Sequence, residues 1–150
     1  MASCARRTVC PFLIGLVLAC GTEPDEEPIF GTYALTTVNG APLPHLLEDS
    51  DPDCDVYISH GELVMSAPAL YRLEFSGPYN CIEGQTGELG RFYNGTYDRT
   101  GSSLSFAAAI SGYGTLEFPG QLENSVIEVT VPPIPPTTGP DLTLELELVP

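Results

Sequence analysis

The sequence has no lysine and no tryptophan, and its five basic residues are all arginines. They are outnumbered by 20 aspartates and glutamates, which gives the 150-residue chain a formal net charge of −15. Proteins that bind nucleic acid or anionic lipid surfaces neutralise phosphates with clustered cations, so this composition argues against both partners. Charged residues make up only 17% and hydrophobic residues 43%, which does not fit disorder through high charge and low hydropathy. The length suits a single domain.

The apolar stretch near the amino terminus is too short to span a bilayer. Pro11–Ala19 follows Arg6 and Arg7, whereas a membrane-spanning helix needs about 20 apolar residues. A positively charged start followed by a short apolar run is typical of a secretory signal peptide.

The end of this stretch, Val17-Leu18-Ala19-Cys20, resembles the lipobox of bacterial lipoproteins. The resemblance implies that residues 1–19 are a signal peptide that is removed before Cys20. The Cys20 thiol then receives a diacylglycerol, and the new amino group is acylated with a fatty acid such as palmitate. Two alternatives stay open: an ordinary signal peptide with an unmodified Cys20, and a twin-arginine export signal built on Arg6-Arg7.

The lipobox resemblance also accounts for the cysteines. Cys4 and Cys10 lie in the segment that is removed and Cys20 carries the lipid, which leaves Cys54 and Cys81. An even pair in an exported, oxidising compartment predicts a disulfide. A thiol nucleophile or a metal ligand is the competing interpretation, but neither cysteine has a Cys or His at ligand spacing.

Removal of residues 1–19 leaves 131 residues, in which three arginines face all 20 acidic residues, a net charge of −17. Residues 20–28 are the lipidated cysteine and an acidic, proline-punctuated linker. By resemblance to enterobacterial sorting, Gly21 after Cys20 implies an outer-membrane location in the cell envelope. Residues 29–150 form the predicted domain, which is long enough to bury about two-thirds of its unfolded surface.

From Ile29 onward, apolar and polar residues alternate with a period of two. Leu142–Leu148 is the clearest strand, because its leucines alternate with threonine and glutamate. No window offers a capped helix of about ten residues. The same alternation predicts further strands at Tyr33–Leu35, Leu63–Met65, Tyr71–Phe75, Leu104–Ile110, Leu116–Phe118 and Ile127–Val131, with an eighth candidate at Arg91–Asp98 that Asn94-Gly95 interrupts.

Turn signals separate these strands. Asn39-Gly40 supplies the positive φ angles of a two-residue type I′ hairpin, and Asn124-Ser125 is a similar break. Short strands at this spacing predict an all-β fold, an antiparallel up-and-down β-barrel of about eight strands, with a β-sandwich as the alternative. Gly31–Leu35 running into Val38–Pro44 resembles the opening of small bacterial lipoproteins with a lipocalin-like barrel, which implies the same fold.

The acidic segment around Cys54 contains the one candidate metal site. Val56 stands where a calcium-loop template has glycine, and no helices flank the segment, so the sequence favours a plain acidic loop held by Cys54. Weak calcium binding is the alternative, because four carboxylates occupy positions 1, 3, 5 and 12 of the template: Asp51, Asp53, Asp55 and Glu62.

No motif for catalysis or for a cofactor emerges. His45 and His60 lie in turn-like surroundings, and no nucleophile stands beside a base at a meaningful spacing. We therefore predict a non-enzyme without a cofactor, in which both histidines lie on the surface. The aromatic residues are predicted mostly to fill the barrel.

Two functions fit these features. The first is a structural or protein-binding module of the cell envelope, tethered to the membrane through Cys20, which contacts a basic partner through its acidic loop or the proline-rich tract 132–140. The second is lipocalin-like binding of a small apolar ligand or lipid. A filled lumen favours the first and a hollow lumen the second; the first is our prediction.

Overall fold

The computed structural model describes residues 29–47, 53–133 and 139–150, and within these ranges the protein is all-β, without a helix. The predicted signal peptide 1–19, Cys20 and the linker to residue 28 lie outside the described residues. No helix in the described ranges has the length and apolar character needed to cross a membrane. In chain order the strands are β1 (Gly31–Val38), β2 (Ala41–Pro42), β3 (His45–Leu46), β4 (Cys54–Ile58), β5 (His60–Ser66), β6 (Leu70–Cys81), β7 (Thr86–Thr100), β8 (Ser103–Ile110), β9 (Gly114–Glu123), β10 (Val126–Val131) and β11 (Leu142–Leu148).

Eight of these strands close into an antiparallel barrel, which confirms the predicted fold. β1 pairs with β5, each strand from β5 to β11 pairs with the next, and β11 returns to β1. The closing register sets Leu35 opposite Leu146. Because neighbours in the ring are neighbours in sequence, with only β2–β4 inserted after β1, the topology is up-and-down. The fold is therefore the barrel and not the sandwich.

Three short strands lie outside the ring, and the period-two pattern did not predict them. β2 folds back on β1 through the predicted hairpin, in which Asn39 and Gly40 have φ angles of 51° and 74°. β4 pairs with the far end of β6, and β3 pairs with β4. Together with the far halves of β6 and β7, β4 forms an extension beyond the ring.

The predicted interruption of a strand at Asn94-Gly95 is wrong, because β7 runs unbroken from Thr86 to Thr100. Both residues pair with β6 instead of forming a turn. Glycine is needed at position 95 for a different reason: a Cβ there would lie 1.8 Å from the carbonyl oxygen of Ala107 on β8. Gly95 therefore permits the close approach of two strand backbones at the point where β8 joins β7.

Aromatic side chains fill the barrel interior. The rings of Phe106 and Phe118 stack with centroids 5.4 Å apart, and Tyr71 meets Phe106 edge-on at 4.9 Å. Tyr93 closes the cluster, 5.7 Å from Phe118. All eight ring strands contribute buried apolar residues, among them Leu35, Leu63, Leu73, Tyr97, Leu104, Ile127, Val129 and Leu144.

The two ends of the barrel differ. At the end that we call the entry end, the chain enters β1 after Ile29, and the connections 67–69, 101–102 and 124–125 are short. At the opposite end, the loop end, lie the connections from β1 to β5 and from β10 to β11, together with the extension. An up-and-down ring separates these two sets because successive strands run in opposite directions.

Candidate functional site

The predicted cysteine pair lies in the extension at the loop end. Cys54 and Cys81 face each other in the β4–β6 ladder, and their sulfurs lie 2.04 Å apart in a disulfide. The bridge ties β4, which is outside the ring, to β6, which belongs to it. This position gives the pair a structural role.

The structure does not bring the calcium candidates together. Asp51 lies outside the described residues. Asp55 is opposite Asn80 on β6, whereas Glu62 is opposite Glu74, six positions away along the same strand, which corresponds to about 20 Å. No group of three or more His, Cys, Asp or Glu side chains in the described ranges could hold a metal ion.

Both histidines lie in strands rather than in the turn-like surroundings that the sequence predicted. His45 begins β3, opposite Ile58, and His60 begins β5, opposite Ser76. His60 is exposed, as predicted, but it has partners: its Nε2 lies 2.7 Å from the Ser76 hydroxyl and its Nδ1 lies 3.1 Å from the Ser59 hydroxyl. The strand register creates this cluster from residues 16 positions apart.

Ser76 beside His60 resembles the serine–histidine pair of a catalytic dyad, but the hydrogen bond between them has the opposite direction. The Ser76 hydroxyl donates to the Glu88 carboxylate at 2.9 Å. A serine has one hydrogen to donate, so the Ser76 oxygen accepts from the His60 Nε2–H. His60 is thus a donor to Ser76, whereas a general base must accept the nucleophile's proton. This arrangement orders the side chains and does not activate Ser76.

His60 and Ser76 line a groove of about 360 Å³ on the outer face of β5, β6 and β7. Two cross-strand rows make up its floor. His60, Ser76 and Gly90 are opposite one another in the first row, and Glu62, Glu74 and Phe92 in the second. Opposed residues point to the same face of a sheet, so the side chains of each row share the outer surface.

Charged side chains of both signs lie in the groove and beside it. The Arg72 guanidinium lies 2.5 Å from Glu62 and 3.7 Å from Glu74 and so holds these two like charges side by side. Glu88 adds a third carboxylate beside Ser76. Arg91 also lines the groove, so three carboxylates stand against two guanidiniums and leave one negative charge in excess, and the half-exposed ring of Phe92 borders it. Such a lining suits a cationic side chain, which pairs with carboxylates and packs on an aromatic face.

Polar groups inside the barrel differ in whether they are satisfied. The Tyr93 hydroxyl donates to the Pro132 carbonyl at 3.3 Å. Burial raises the pKa of Tyr93, and the Arg91 guanidinium, which is hydrogen-bonded to it, opposes that rise. The Tyr71 hydroxyl is also buried, which raises its pKa further, but it has no hydrogen-bond partner among the described residues. Tyr71 is therefore the one buried side chain in this part of the chain whose polar atom lacks a protein partner.

Besides the groove, described residues line further depressions: one between β9, β10 and β11, one beside the disulfide, and one at the β9–β10 junction. None of these four is lined by Phe106, Phe118 or Tyr71. No family model, curated protein or solved structure matches this chain.

Proposed function

We propose that the protein is a non-catalytic lipoprotein of the bacterial outer membrane, tethered through lipid on Cys20, whose barrel serves as a structural or protein-binding module. The packed interior carries this proposal. Phe106 and Leu144 are fully buried and Tyr93 is 1% exposed, inside a ring whose aromatic side chains are in contact with one another. A small eight-stranded barrel is just wide enough for side chains to fill it, and a filled barrel offers partners its outer face and its ends.

The direction of the chain supports tethering. The linker of residues 20–28 spans at most about 30 Å when fully extended, and it joins the domain at the entry end, where Ile29 leads into β1. A lipid on Cys20 therefore keeps the entry end near the membrane. The loop end, with its extension and disulfide, then points away from the membrane toward partners.

The chemistry of the groove supports the absence of catalysis. Of the two serines beside His60, Ser76 directs its hydrogen to Glu88 rather than to His60. The cluster is exposed to water, where charge stabilisation is weak.

The proposal is tested with the full chain, expressed in a bacterium and purified in mild detergent. Metabolic labelling with a clickable palmitate should mark the protein, and Cys20→Ser should abolish the label, while Cys4→Ser, a matched control in the removed segment, should leave it. Native mass spectrometry should give the lipidated chain without a further non-covalent mass. A chain that carries no lipid, or one whose label survives Cys20→Ser, contradicts the anchoring.

A second candidate function, lipocalin-like binding of a small apolar ligand, is favoured by one observation. The Tyr71 hydroxyl points into the interior without a protein partner, and a ligand with a hydrogen-bonding group would satisfy it. Native mass spectrometry separates the two functions. A discrete non-covalent mass that disappears on organic extraction supports the ligand-binding barrel and contradicts the filled module.

A further inference from the structure

We propose that the exposed edge of β7, Thr86–Asn94, takes an extended segment of a partner protein as an added strand, and that a long cationic side chain of that segment enters the outer groove. This inference rests on the proposed protein-binding function and gives it a site. The sequence pointed instead to the acidic loop and to the proline-rich tract 132–140.

The edge arises because β7 is longer than one of its neighbours can cover. β7 has 15 residues and pairs with β6 from Thr86 to Thr96, but with β8 only from Gly95 to Thr100. In the described part of the chain, no strand pairs with the β8 side of Thr86–Asn94. Nine residues therefore present one edge of backbone N–H and C=O groups, which is the template that an added strand uses.

This edge has only part of the usual protection. Native edge strands are blunted by proline, charged side chains, bulges or shortness. Thr86–Asn94 carries the charges of Glu88 and Arg91, but it has no proline and it exposes apolar groups on both faces, with Leu89 44% and Phe92 50% exposed. The β10 side of β9 at Gly114–Pro119 is also unpaired within the described ranges, but it is shorter and ends in a proline. Of these two edges, the β7 edge is the longer and the one without a proline, and the outer strands β2 and β3 have only two residues each.

Gly90 connects the edge to the groove. It lies in the first cross-strand row beside Ser76, and a Cβ built on it would meet nothing closer than 3.5 Å. The row therefore has no side chain between the edge of β7 and Ser76. A long side chain on the added strand, opposite Gly90, can lie across this gap between Glu88 and Phe92. Main-chain pairing would supply affinity, and the groove would supply selectivity for the side chain.

Charge decides which occupant fits. Glu62 and Glu74 line the groove and Glu88 lies beside it, against the cations Arg72 and Arg91. The carboxylates are in excess by one, so an arginine or lysine on the added strand gains carboxylate partners. A second copy of this chain would bring its own Glu88 and a net charge of −15 for the whole sequence to the same edge. Like charges brought together across an interface oppose association. The occupant is therefore a basic segment of another protein.

The test uses the full chain in detergent and two capped nine-residue peptides in which threonine and valine alternate, with either arginine or glutamate at the centre. Fluorescence anisotropy measures the affinities, and hydrogen exchange locates the bound peptide. We expect the arginine peptide to bind at least ten times more tightly than the glutamate peptide. We expect it to slow amide exchange within Thr86–Asn94.

Gly90→Val is the decisive variant. Because a Cβ at Gly90 makes only ordinary contacts, the nearest with Ser76 at 3.5 Å, and the φ of Gly90 is not positive, valine fits the strand. Its side chain covers the entrance to the groove. The tenfold preference for arginine should fall below threefold. Thr96→Val, on the outer face of β7 where β6 and β8 both pair with it, is the matched control and should keep the preference.

Three results overturn the proposal: peptide-induced protection outside Thr86–Asn94, an arginine preference that survives Gly90→Val, or protection of the β7 edge by dimerisation without peptide. Its failure is separable from failure of the proposed function. A non-covalent lipid in the native mass spectrum contradicts the filled module whatever the peptides do. A bare barrel that ignores the peptides contradicts only the β7 site.

Discussion

Replacing Tyr71 by phenylalanine tests whether the barrel interior is filled. Tyr71 is 3% exposed and its ring packs edge-on against Phe106 and Phe118, so phenylalanine keeps these contacts. Only the hydroxyl is removed, and this hydroxyl has no partner among the described residues. A buried polar group without a partner costs about 1–3 kcal/mol. Removing the hydroxyl removes this cost, but the small cavity left by the oxygen offsets part of the gain. We therefore expect Tyr71→Phe to stabilise the protein by about 1 kcal/mol.

Tyr93→Phe is the matched control. Tyr93 is equally buried, but its hydroxyl donates to the Pro132 carbonyl and is hydrogen-bonded to Arg91. Removing it loses a made hydrogen bond and should destabilise the protein by about 1 kcal/mol. The two variants delete the same atom from the same kind of side chain. Their difference of about 2 kcal/mol therefore measures hydrogen-bond satisfaction alone.

Urea unfolding followed by circular dichroism gives both values, since an unchanged m value makes each shift of the midpoint a change in stability. In a thermal scan the stabilisation corresponds to roughly 4 °C for Tyr71→Phe. A loss of about 1 kcal/mol or more in Tyr71→Phe would refute the reasoning. It would mean that the hydroxyl already has a partner, a ligand or water held in the lumen, and it would favour the ligand-binding barrel.

Three further predictions concern the frame. Gly95→Ala should destabilise by about 3 kcal/mol, because its Cβ meets a backbone oxygen of Ala107 that cannot turn aside, whereas Gly90→Ala in the same strand should stabilise by about 0.5 kcal/mol; urea midpoints compare the two. Replacing Cys54 and Cys81 together by alanine should cost about 3 kcal/mol, given their separation of 27 residues, while hydrogen exchange still reports a protected ring. Burial raises the pKa of four core phenols, so above about pH 10 the unfolded chain releases protons that the barrel retains and stability falls as the pH rises; urea midpoints at increasing pH check this sign for Tyr33, Tyr71, Tyr93 and Tyr97.

The strands of the ring could be predicted from sequence because each has one buried and one exposed face. Burial follows polarity over Leu144–Leu146, where both leucines are buried and Glu145 is not, and it alternates in the same way over Ile127–Val131. A strand that is exposed on both faces loses this signal. Thr86–Gly90 is exposed at every position, so nothing in its composition distinguishes it from a loop. For the same reason, the predicted strand at Arg91–Asp98 began five residues too late.

The residues of the groove could not be grouped from the sequence, because strand register brings them together and the alternation of polar and apolar residues does not give the register. His60, Ser76 and Glu88 are separate polar residues in the sequence, and only the pairing of β5 with β6 and of β6 with β7 aligns them. The hairpin signals fix which strands are neighbours, whereas a shift of one residue would turn every side chain to the other face. The pairing of Leu63 with Leu73 in the core fixes the register of β5 on β6. That register also places Glu62 opposite Glu74 and His60 opposite Ser76 on the outer face.

Closure of the barrel and the exposed edge have a common origin. A closed ring has no unpaired strand edge where all eight strands pair. An edge is present only where one strand extends beyond the end of its neighbour. β6 and β7 outrun the ring together, and the disulfide with β4 covers the β6 side of the extension. The β7 side begins at Asn94, because β8 reaches β7 first at Gly95, where a side chain would collide with Ala107. Gly95 thus lies at the seam of the barrel and next to the start of the edge that we assign to a partner.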